Sequence, residues 1–270
     1  MINIFGAGKD ADTGKYVIQE TQLINSSEDH IDCITPPVYE CLVGKLDKRS
    51  FIFMEHHKPG LGYSAITAFS EKVEHMIMDN FFNVEPDNVV ADIGSGYGIY
   101  TLRALLMGAR FVYAFEPIEE FSNTLMANIR LNRWIDRASI LYSPLWSSET
   151  IIDFEDQLTM AAKSTMFSRR YATMTLDKFF EKYEDGLANF GRLDIIKMDV
   201  EGAELEVIKG ARDSIRRFKP RMIIELHKSD EFDSVHELIQ AIDKIDVDCD
   251  INILFVSVGR SYAIVDFVKN

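Results

Sequence analysis

Residues Val89–Gly98, with the sequence VVADIGSGYG, decide what kind of fold this 270-residue chain adopts. The stretch begins with an apolar run of the type found in buried parallel strands. Glycines then follow at alternate positions, Gly94, Gly96 and Gly98, and a helix-forming segment comes next. A strand that passes through a glycine turn into a helix lets a ligand approach backbone N–H groups that side chains would otherwise cover. The stretch therefore predicts a ligand site built from backbone at the end of a buried strand.

The spacing of these glycines separates the turn from the one used by dinucleotide-binding folds. Those folds have G-x-G-x-x-G, whereas here the third glycine comes one residue early and Ile99 takes its place. Asp92 stands two residues before the first glycine and completes an acid-x-Gly-x-Gly-x-Gly string. This string resembles the first motif of the class I S-adenosylmethionine-dependent methyltransferases. The cofactor-binding residues that the motif implies are Asp92, Gly94, Ser95, Gly96, Tyr97 and Gly98.

The next strand and helix add an acid at the position expected for a ribose contact. Phe111–Phe115 is an apolar run that predicts a second strand, and Glu116 follows it about 20 residues after the glycine turn. An acid at the carboxyl end of that strand accepts hydrogen bonds from both ribose hydroxyls. The feature suits NAD as well as S-adenosylmethionine, so it supports a nucleoside ligand without choosing one. Pro117, which begins the following predicted helix, and Ser143, in the turn after a third strand, are expected beside the same ligand.

A second informative stretch, Leu193–Glu204, has the sequence LDIIKMDVEGAE. It predicts a buried strand that ends in Lys197, Asp199 and Glu201 and continues into a helix. Charged groups at the end of a buried strand are costly to desolvate unless they are paired or used in function. The carboxyl ends of the strands are also the edge at which open α/β sheets bind ligands. The stretch therefore indicates either a structural ion-pair cluster or part of an active site.

A further apolar run, Met222–His227, predicts another strand of the same sheet. Its period of two places Glu225 and His227 on one face. We expect this strand to neighbour the Leu193–Glu204 strand, so that the charged ends of the two strands meet. A histidine beside an acid at this edge is either a satisfied core residue or a functional one. The candidate catalytic residues are Lys197, Asp199, Glu201 and His227.

Three other segments complete the coarse prediction. Apolar residues recur with helical spacing over Ser64–Phe82, which predicts a helix that covers the sheet edge and the mouth of the ligand site. Residues 146–172 show no clear period and are expected to form a loop or short strands beside the substrate. The segments Ile251–Val258 and Tyr262–Val268 flank a Gly-Arg-Ser turn and predict an antiparallel hairpin.

Composition and charge describe a globular protein without a polyanionic partner. The chain is 47% apolar and 27% charged, with a formal net charge of −14. That charge argues against a nucleic-acid backbone as the main partner, because phosphate binding depends on clustered Lys and Arg. No apolar run approaches the ~20 residues that span a bilayer, and no secretory leader pattern is seen, so no membrane partner is expected. Three cysteines form no disulfide framework, which fits a cytoplasmic protein. The sequence does not determine the oligomeric state.

From about Gly62 to His227 the chain resembles the FkbM family of methyltransferases. The segments that carry the resemblance are DIGSGYG, AFEP, NIRLN, TLD, IKMDVEGAE and IIELH, in the family's order. The resemblance implies a class I α/β fold, with a Rossmann-like, mostly parallel sheet that ends in an antiparallel hairpin. It also implies S-adenosylmethionine as the methyl donor and a hydroxyl group of a sugar or other small metabolite as the acceptor. Residues 1–60 fall outside the match and are expected to form an N-terminal extension to a methyltransferase domain at 61–270.

Methyl transfer to an alcohol requires activation of the hydroxyl group, because an alcohol is a poor nucleophile at neutral pH. A general base contributes roughly 10²–10⁴-fold, and Asp199, Glu201 and His227 are the candidates. Lys197 is expected to tune these groups or to anchor the acceptor. Alternatively, a divalent metal held by Asp199, Glu225 and His227 lowers the pKa of the hydroxyl group. The sequence leaves the need for a metal open.

Three other kinds of protein share part of this sequence pattern. A nicotinamide-dependent oxidoreductase shares the first strand–turn–helix unit, but the glycine spacing differs and the chain has no Tyr-x-x-x-Lys pair. A catalytically silent nucleoside-binding protein needs the glycine turn but not the charged strand end at Lys197–Glu201. A methylase acting on a nucleic-acid amine is disfavoured by the net charge and by the lack of an Asn/Asp-Pro-Pro-aromatic run.

Overall fold

The computed structural model of the chain describes residues 77–155, 168–182, 190–227, 231–257 and 260–268, together with six strands in the first 56 residues. Those six strands are Ile2–Asn3 (β1), Phe5–Lys9 (β2), Tyr16–Glu20 (β3), Val38–Val43 (β4), Asp47–Ile52 (β5) and Glu55–His56 (β6). They pair antiparallel as β1 with β6, β2 with β3 and β4 with β5. The domain boundary at residue 60 stays a prediction. Of the helix predicted over Ser64–Phe82, residues 77–82 are described; 77–80 are helical, and the helix ends two residues before the predicted end.

A seven-stranded sheet forms the centre of the fold. The strands after residue 88 are Val89–Ile93 (β7), Phe111–Phe115 (β8), Ala138–Leu141 (β9), Ile151–Glu155 (β10), Ser168–Ala172 (β11), Ile195–Met198 (β12), Arg221–Leu226 (β13), Cys249–Ser257 (β14) and Arg260–Phe267 (β15). The sheet has the order β14–β15–β13–β12–β7–β8–β9. Its five strands from β13 to β9 run parallel, whereas β15 is antiparallel to both β13 and β14. The predicted class I sheet and its C-terminal hairpin are confirmed.

Helices and apolar side chains cover both faces of this sheet. The helices are Ile99–Met107 (α1), Glu119–Leu131 (α2), Leu176–Lys182 (α3), Glu204–Lys209 (α4), Arg212–Phe218 (α5) and Glu231–Asp243 (α6). Val89, Ala91 and Ile93 of β7 belong to one buried apolar cluster, which includes residues of α3 to α6. Val90 belongs to a second cluster, which includes residues of α1 and α2. Alternate residues of a strand point to opposite faces, so the sheet is buried on both sides.

The same alternation places three charged residues on the α1 side of the sheet. Asp92, Lys197 and Glu225 lie on the neighbouring strands β7, β12 and β13, and their exposed fractions are 1%, 1% and 3%. Each is two residues after an apolar residue of the second cluster. The pairing of β12 with β13 confirms that the charged ends of these two strands meet.

The helix predicted from Pro117 begins two residues later, at Glu119. The reason is Glu116, whose carboxylate accepts the N–H of Ile118 at 2.9 Å. This bond holds Ile118 in an extended conformation, with ψ of 115°, as the residue before the helix. The side chain of Glu116 thus satisfies an N–H group at the start of α2, where no carbonyl of the helix is available.

Two other segments refine the prediction. The helix α5 follows Gly210 and was not predicted, because only Ser214 and Ile215 of its seven residues are buried and so short an apolar face shows no period. The short strands expected within residues 146–172 are β10 and β11, which pair antiparallel.

Candidate active site

The glycine turn between β7 and α1 is held in place by the neighbouring strand. The N–H groups of Gly94 and Ser95 donate to the carbonyl oxygen of Phe115, at 2.9 and 3.1 Å. The three glycines have positive φ angles, 77° at Gly94, 53° at Gly96 and 93° at Gly98. Residues with a Cβ adopt this conformation only at a cost. The turn therefore favours glycine at all three positions.

Gly94 packs directly against the second charged stretch. A Cβ at Gly94 would lie 1.8 Å from the carbonyl oxygen of Asp199, which is closer than atoms can approach. The N–H of Asp199 in turn donates to the carbonyl oxygen of Ile93 at 2.9 Å. A Cβ at Gly96, in contrast, would meet no atom of the described residues within 4 Å. The turn is thus closed on the side of Asp199 and open at Gly96.

Glu116 lies under the open part of the turn. Its carboxylate accepts the N–H of Gly96 at 2.7 Å and that of Ile118 at 2.9 Å. The residue is 4% exposed, and this burial raises the pKa of Glu116 to about 7, although the two N–H groups oppose the rise. A carboxylate has about four acceptor positions, so two remain for a ligand. The predicted ribose-binding acid is therefore placed beside the glycine turn.

The other residues of the motif are buried around the turn. Asp92 accepts the hydroxyl of Thr101 at 2.6 Å; burial raises the pKa of Asp92, while Thr101 and the charge of Lys197 lower it. The buried hydroxyl of Ser95 has no hydrogen-bond partner among the described residues. The ring of Tyr97 packs edge-on against Phe121, with ring centres 4.6 Å apart. Asp92 and Tyr97 thus support the turn, whereas Ser95 offers a polar atom that the protein leaves unused.

A cavity of about 450 Å³ lies beside Glu116, at the carboxyl ends of β8 and β9. Its lining includes Pro117, which was predicted beside the ligand, and Tyr142, which directly precedes Ser143. The hairpin of β10 and β11, which lies in the segment expected beside the substrate, contributes two further side chains. The five lining residues are Pro117, Glu119, Tyr142, Arg170 and Tyr171.

Lys197 lies beneath the surface at the carboxyl edge of β12. Its ammonium nitrogen is 3.7 Å from Asp199 Oδ2 and 4.0 Å from Glu225 Oε2. The same nitrogen lies 4.6 Å from the centre of the Tyr100 ring, a cation–π arrangement. With 1% exposure, Lys197 meets carboxylates of the protein rather than open space. Of the two roles expected for Lys197, this position supports the tuning of the neighbouring carboxylates.

The imidazole of His227 lies among four carboxylates. Its Nδ1 is 3.2 Å from Glu204 Oε1. Its Nε2 is 3.3 Å from Glu225 Oε1 and 3.8 Å from both Asp199 Oδ1 and Glu201 Oε2. The charged cluster, as we call it below, consists of Lys197, Asp199, Glu201, Glu204, Glu225 and His227. All four predicted catalytic residues are brought together in it.

Protonation differs between the central groups of the charged cluster. Burial raises the pKa of Asp199 to about 7, against the opposing charge of Lys197 and with the aid of the Glu225 carboxylate. For His227, burial favours the neutral ring, but hydrogen bonds to Glu204 and Glu225 outweigh it and raise the pKa to about 10. At neutral pH His227 is therefore cationic, while Asp199 has a pKa matched to the exchange of a proton.

Two members of the site were missed by sequence reasoning. Glu204 is 3% exposed and also accepts the N–H of Gly202 at 3.0 Å. It is the last residue of the DVEGAE segment, and its place in the first turn of a helix at the ligand edge was a usable indication. Tyr262 on β15 donates its hydroxyl to Glu225 Oε2 at 2.7 Å. No local pattern indicates Tyr262, because it reaches the site from a strand formed far along the chain.

The part of the chain that holds the turn and the charged cluster matches a family model. Residues 88–250 match the methyltransferase FkbM domain. The chain belongs to this family. It carries a methyltransferase domain, and the glycine turn and the charged cluster both lie within the matched residues. Tyr262 lies beyond the matched residues.

The FkbM domain of this chain is also similar to two curated methyltransferases. Methyltransferase sdnD of Sordaria araneosa is 25% identical over 178 residues, which cover 53% of this chain and 68% of that protein. Hexuronic acid methyltransferase AglP of Haloferax volcanii is 31% identical over 151 residues, which cover 53% of this chain and 57% of that protein. The chain thus spans just over half the length of AglP.

The fold of this FkbM methyltransferase has a counterpart among solved structures. The crystal structure of methyltransferase FkbM from Methylobacillus flagellatus KT matches with a TM-score of 0.50 and 19% identity. The match covers 68% of this chain and 46% of that chain. At this identity the similarity concerns the fold, which agrees with the parallel sheet and antiparallel hairpin described above.

None of the helices in the described part of the chain has the length and apolar character that a membrane crossing needs.

Proposed function

We propose that this methyltransferase takes its methyl group from S-adenosylmethionine and transfers it to a hydroxyl group of a sugar or another small metabolite. The observation that carries the proposal is the direct contact between the glycine turn and the charged cluster, where Gly94 lies against the carbonyl oxygen of Asp199. A cofactor on the turn then lies next to the cluster. Such proximity suits methyl transfer, because positioning of the reactants alone supplies ~7–11 kcal/mol.

The residues of the turn fit S-adenosylmethionine. The open space at Gly96 leaves its backbone accessible, and Glu116 keeps acceptor positions for two ribose hydroxyls. The unpartnered hydroxyl of Ser95 adds a polar group at the same turn. When bound, S-adenosylmethionine supplies a methyl group that its sulfonium already activates. The chain itself has to hold the acceptor in line and to remove a proton from it.

The charged cluster is suited to removing that proton. Asp199 is about one-third exposed, so an acceptor hydroxyl can reach it, whereas Glu225 is 3% exposed. The pKa of Asp199, about 7, permits a carboxylate at neutral pH that still accepts a proton. Lys197 lies behind Asp199 and favours its ionised form. His227 is cationic and orients the carboxylates around it. Asp199 is therefore the central residue of the proposed chemistry.

A small acceptor fits this site better than a nucleic acid. The cluster presents carboxylates to the acceptor, and the chain has a formal net charge of −14, so phosphate groups are repelled. The relative AglP is named for hexuronic acid, which is a sugar derivative with free hydroxyl groups. The proposal includes a cytoplasmic location, as the small number of cysteines suggests.

Two experiments test the proposal. Calorimetry compares the binding of S-adenosylhomocysteine and NAD, and we expect only the former to bind, which separates methyl transfer from nicotinamide chemistry. A panel of hexoses, uronic acids and small phenols is then incubated with methyl-labelled S-adenosylmethionine, and methyl ethers are identified by mass spectrometry. Binding of S-adenosylhomocysteine without any methylated product would instead favour a silent nucleoside-binding protein.

Replacing Glu116 by alanine is expected to weaken S-adenosylhomocysteine binding by roughly tenfold or more. The change removes the charged acceptor for the ribose hydroxyls and also frees the N–H of Gly96. Titration calorimetry measures the effect, with Glu181→Gln as the control, because Glu181 is exposed on α3. Equal affinities for wild type and Glu116→Ala would refute the ribose-binding role.

The pKa of Glu116 makes cofactor affinity depend on pH. Because burial raises this pKa to about 7, the carboxylate that accepts from ribose forms only as the pH passes that value. We expect S-adenosylhomocysteine affinity to rise between about pH 6 and about pH 8, and Glu116→Gln to remove this dependence. Stability has the opposite sign: the raised pKa favours the protonated native state, so the contribution of Glu116 falls as pH rises from 4.5 to about 7. Thermal unfolding of wild type and variant across this range measures that difference.

A further inference from the structure

The contacts of His227 Nε2 are too long for strong hydrogen bonds. Charge-assisted N–H···O bonds are typically ~2.7–2.9 Å long. Here Nε2 faces Glu225 at 3.3 Å and both Asp199 and Glu201 at 3.8 Å. Nε2 thus makes a long hydrogen bond to Glu225, and its distances to Asp199 and Glu201 exceed hydrogen-bond length.

The distances from His227 Nε2 to Asp199 and Glu201, 3.8 Å each, are near those between ligands of one metal ion. Two ligand atoms bound at ~2.1 Å, with angles between 90° and about 130°, lie roughly 3.0–3.8 Å apart. One ligand atom each from Asp199, Glu201 and His227 lies within 4.8 Å of the others. Two carboxylate oxygens and one imidazole nitrogen form a hard donor set of the kind that suits Mg²⁺ or Mn²⁺.

The imidazole of His227 is also oriented as a metal ligand would be. Its Nδ1 is held by Glu204 at 3.2 Å, so Nε2 is turned towards Asp199 and Glu201. Glu204 is fixed in turn by the N–H of Gly202. A carboxylate that holds the second nitrogen of a ligating histidine is a regular feature of metal sites, because it sets the tautomer and the ring direction.

Access and backbone geometry favour the same three residues. The side chains of Asp199, Glu201 and His227 are 35%, 55% and 22% exposed, so an ion and its remaining water ligands can enter. Glu201 has a φ of 53°, a conformation that costs energy in a residue with a Cβ, and its Oε2 lies 3.8 Å from His227 Nε2. Glu225 was expected as a ligand from the sequence, but it is 4% exposed in its side chain and is bound to Tyr262.

We propose that Asp199, Glu201 and His227 bind a divalent cation of the Mg²⁺ or Mn²⁺ type, and that this ion holds the acceptor hydroxyl. The second half rests on the proposed function, whereas ion binding does not. The ion takes the place of a proton on Nε2, because a ligating histidine is neutral. It lowers the pKa of a bound hydroxyl, whose proton passes to solvent water as its oxygen takes the methyl group, and Asp199 acts as a ligand rather than as the direct base. Lys197 and Glu225 lie behind the ligands, and the positive charge of Lys197 is balanced by Asp199 and Glu225.

Binding of Mn²⁺ alone tests the site without any acceptor. The sharp signal of hydrated Mn²⁺ in electron paramagnetic resonance is expected to decrease as wild-type protein is added, which yields a dissociation constant. Glu201→Gln is expected to weaken binding by about tenfold or more because it removes the negative charge of a ligand, and His227→Gln similarly because it removes the imidazole nitrogen. Glu201 is largely exposed, so its variant keeps the fold. The control is Glu181→Gln, an exposed glutamate far from the cluster in sequence, with unchanged Mn²⁺ binding expected.

The outcomes separate this proposal from the proposed function. An unchanged Mn²⁺ signal, or equal binding by Glu201→Gln and Glu181→Gln, overturns the cation site and leaves an ion-pair network. Methyl transfer that proceeds at full rate in a chelator also overturns it, while the proposed function stands. Mn²⁺ binding that is lost in Glu201→Gln supports the site even if S-adenosylhomocysteine does not bind, and that second result would reject the proposed function alone.

Discussion

Replacing Asp199 by asparagine is expected to lower the single-turnover rate of methyl transfer by about 10²–10⁴-fold, while S-adenosylhomocysteine affinity stays within about threefold of wild type. The side chain of Asp199 reaches Lys197 on one side and His227 on the other, so it is central whether it accepts the proton or binds an ion. Its part in the cofactor site is made by its backbone, through the contact with Gly94 and the bond to Ile93. Asparagine keeps that backbone and the shape of the side chain.

Rapid-quench measurements with an acceptor from the sugar panel follow the chemical step, and calorimetry follows cofactor binding. A loss of both rate and affinity would point to a collapsed turn rather than to chemistry. If Asp199→Asn, Glu201→Gln and His227→Ala all retain rates within about a factor of three of wild type, the charged cluster has no chemical role. The site would then act by positioning alone.

Replacing Gly94 by alanine is expected to reduce the free energy of unfolding by about 2–6 kcal/mol and to abolish cofactor binding. The new Cβ would meet the carbonyl oxygen of Asp199 at 1.8 Å, and the φ of 77° adds backbone strain. Neither neighbour can move easily, because Gly94 is bonded to Phe115 and Asp199 to Ile93. Thermal unfolding is expected to show a Tm lower by roughly 5–20 °C.

Gly96→Ala provides a matched control within the same turn. Its Cβ would enter open space, so only the positive φ costs stability, by about 1–2 kcal/mol. The same Cβ would occupy space over the turn, so cofactor affinity is expected to fall in this variant although most of the stability remains. Equal losses of Tm for the two variants would show that the contact between Gly94 and Asp199 is not what holds the two halves of the site together.

The parts of the fold that follow from local rules were predicted from the sequence. An apolar run, three glycines and a helix former determine the unit from β7 to α1, because each step depends on neighbours in the chain. The meeting of Asp199 and His227 followed from one general rule, that parallel strands of a sheet present their carboxyl ends at the same edge. The distance of 3.8 Å between Asp199 Oδ1 and His227 Nε2 confirms that the two residues meet.

The partners of these residues could not be predicted in the same way. Tyr262 contacts Glu225 because the register of β15 against β13 places the two opposite each other. Tyr100 lies over Lys197 because α1 packs on that face of the sheet. Such pairs depend on tertiary packing, and neither residue carries a local pattern. For that reason the sequence could not predict that Lys197 is buried against an aromatic ring and does not face open space.

The position of β15 has a consequence for how the protein is made. β15 follows β13 and β14 along the chain, but in the sheet it lies between them. During synthesis, one edge of β13 therefore stays unpaired until β15 has been made. An unpaired strand edge is prone to pair with other chains. Until β15 inserts, Glu225 also lacks the hydroxyl of Tyr262. The insertion of β15 thus covers the exposed edge of β13 and completes the site in the same late step. Substitutions that slow this insertion would therefore lower the yield of folded protein before they lower the rate of methyl transfer.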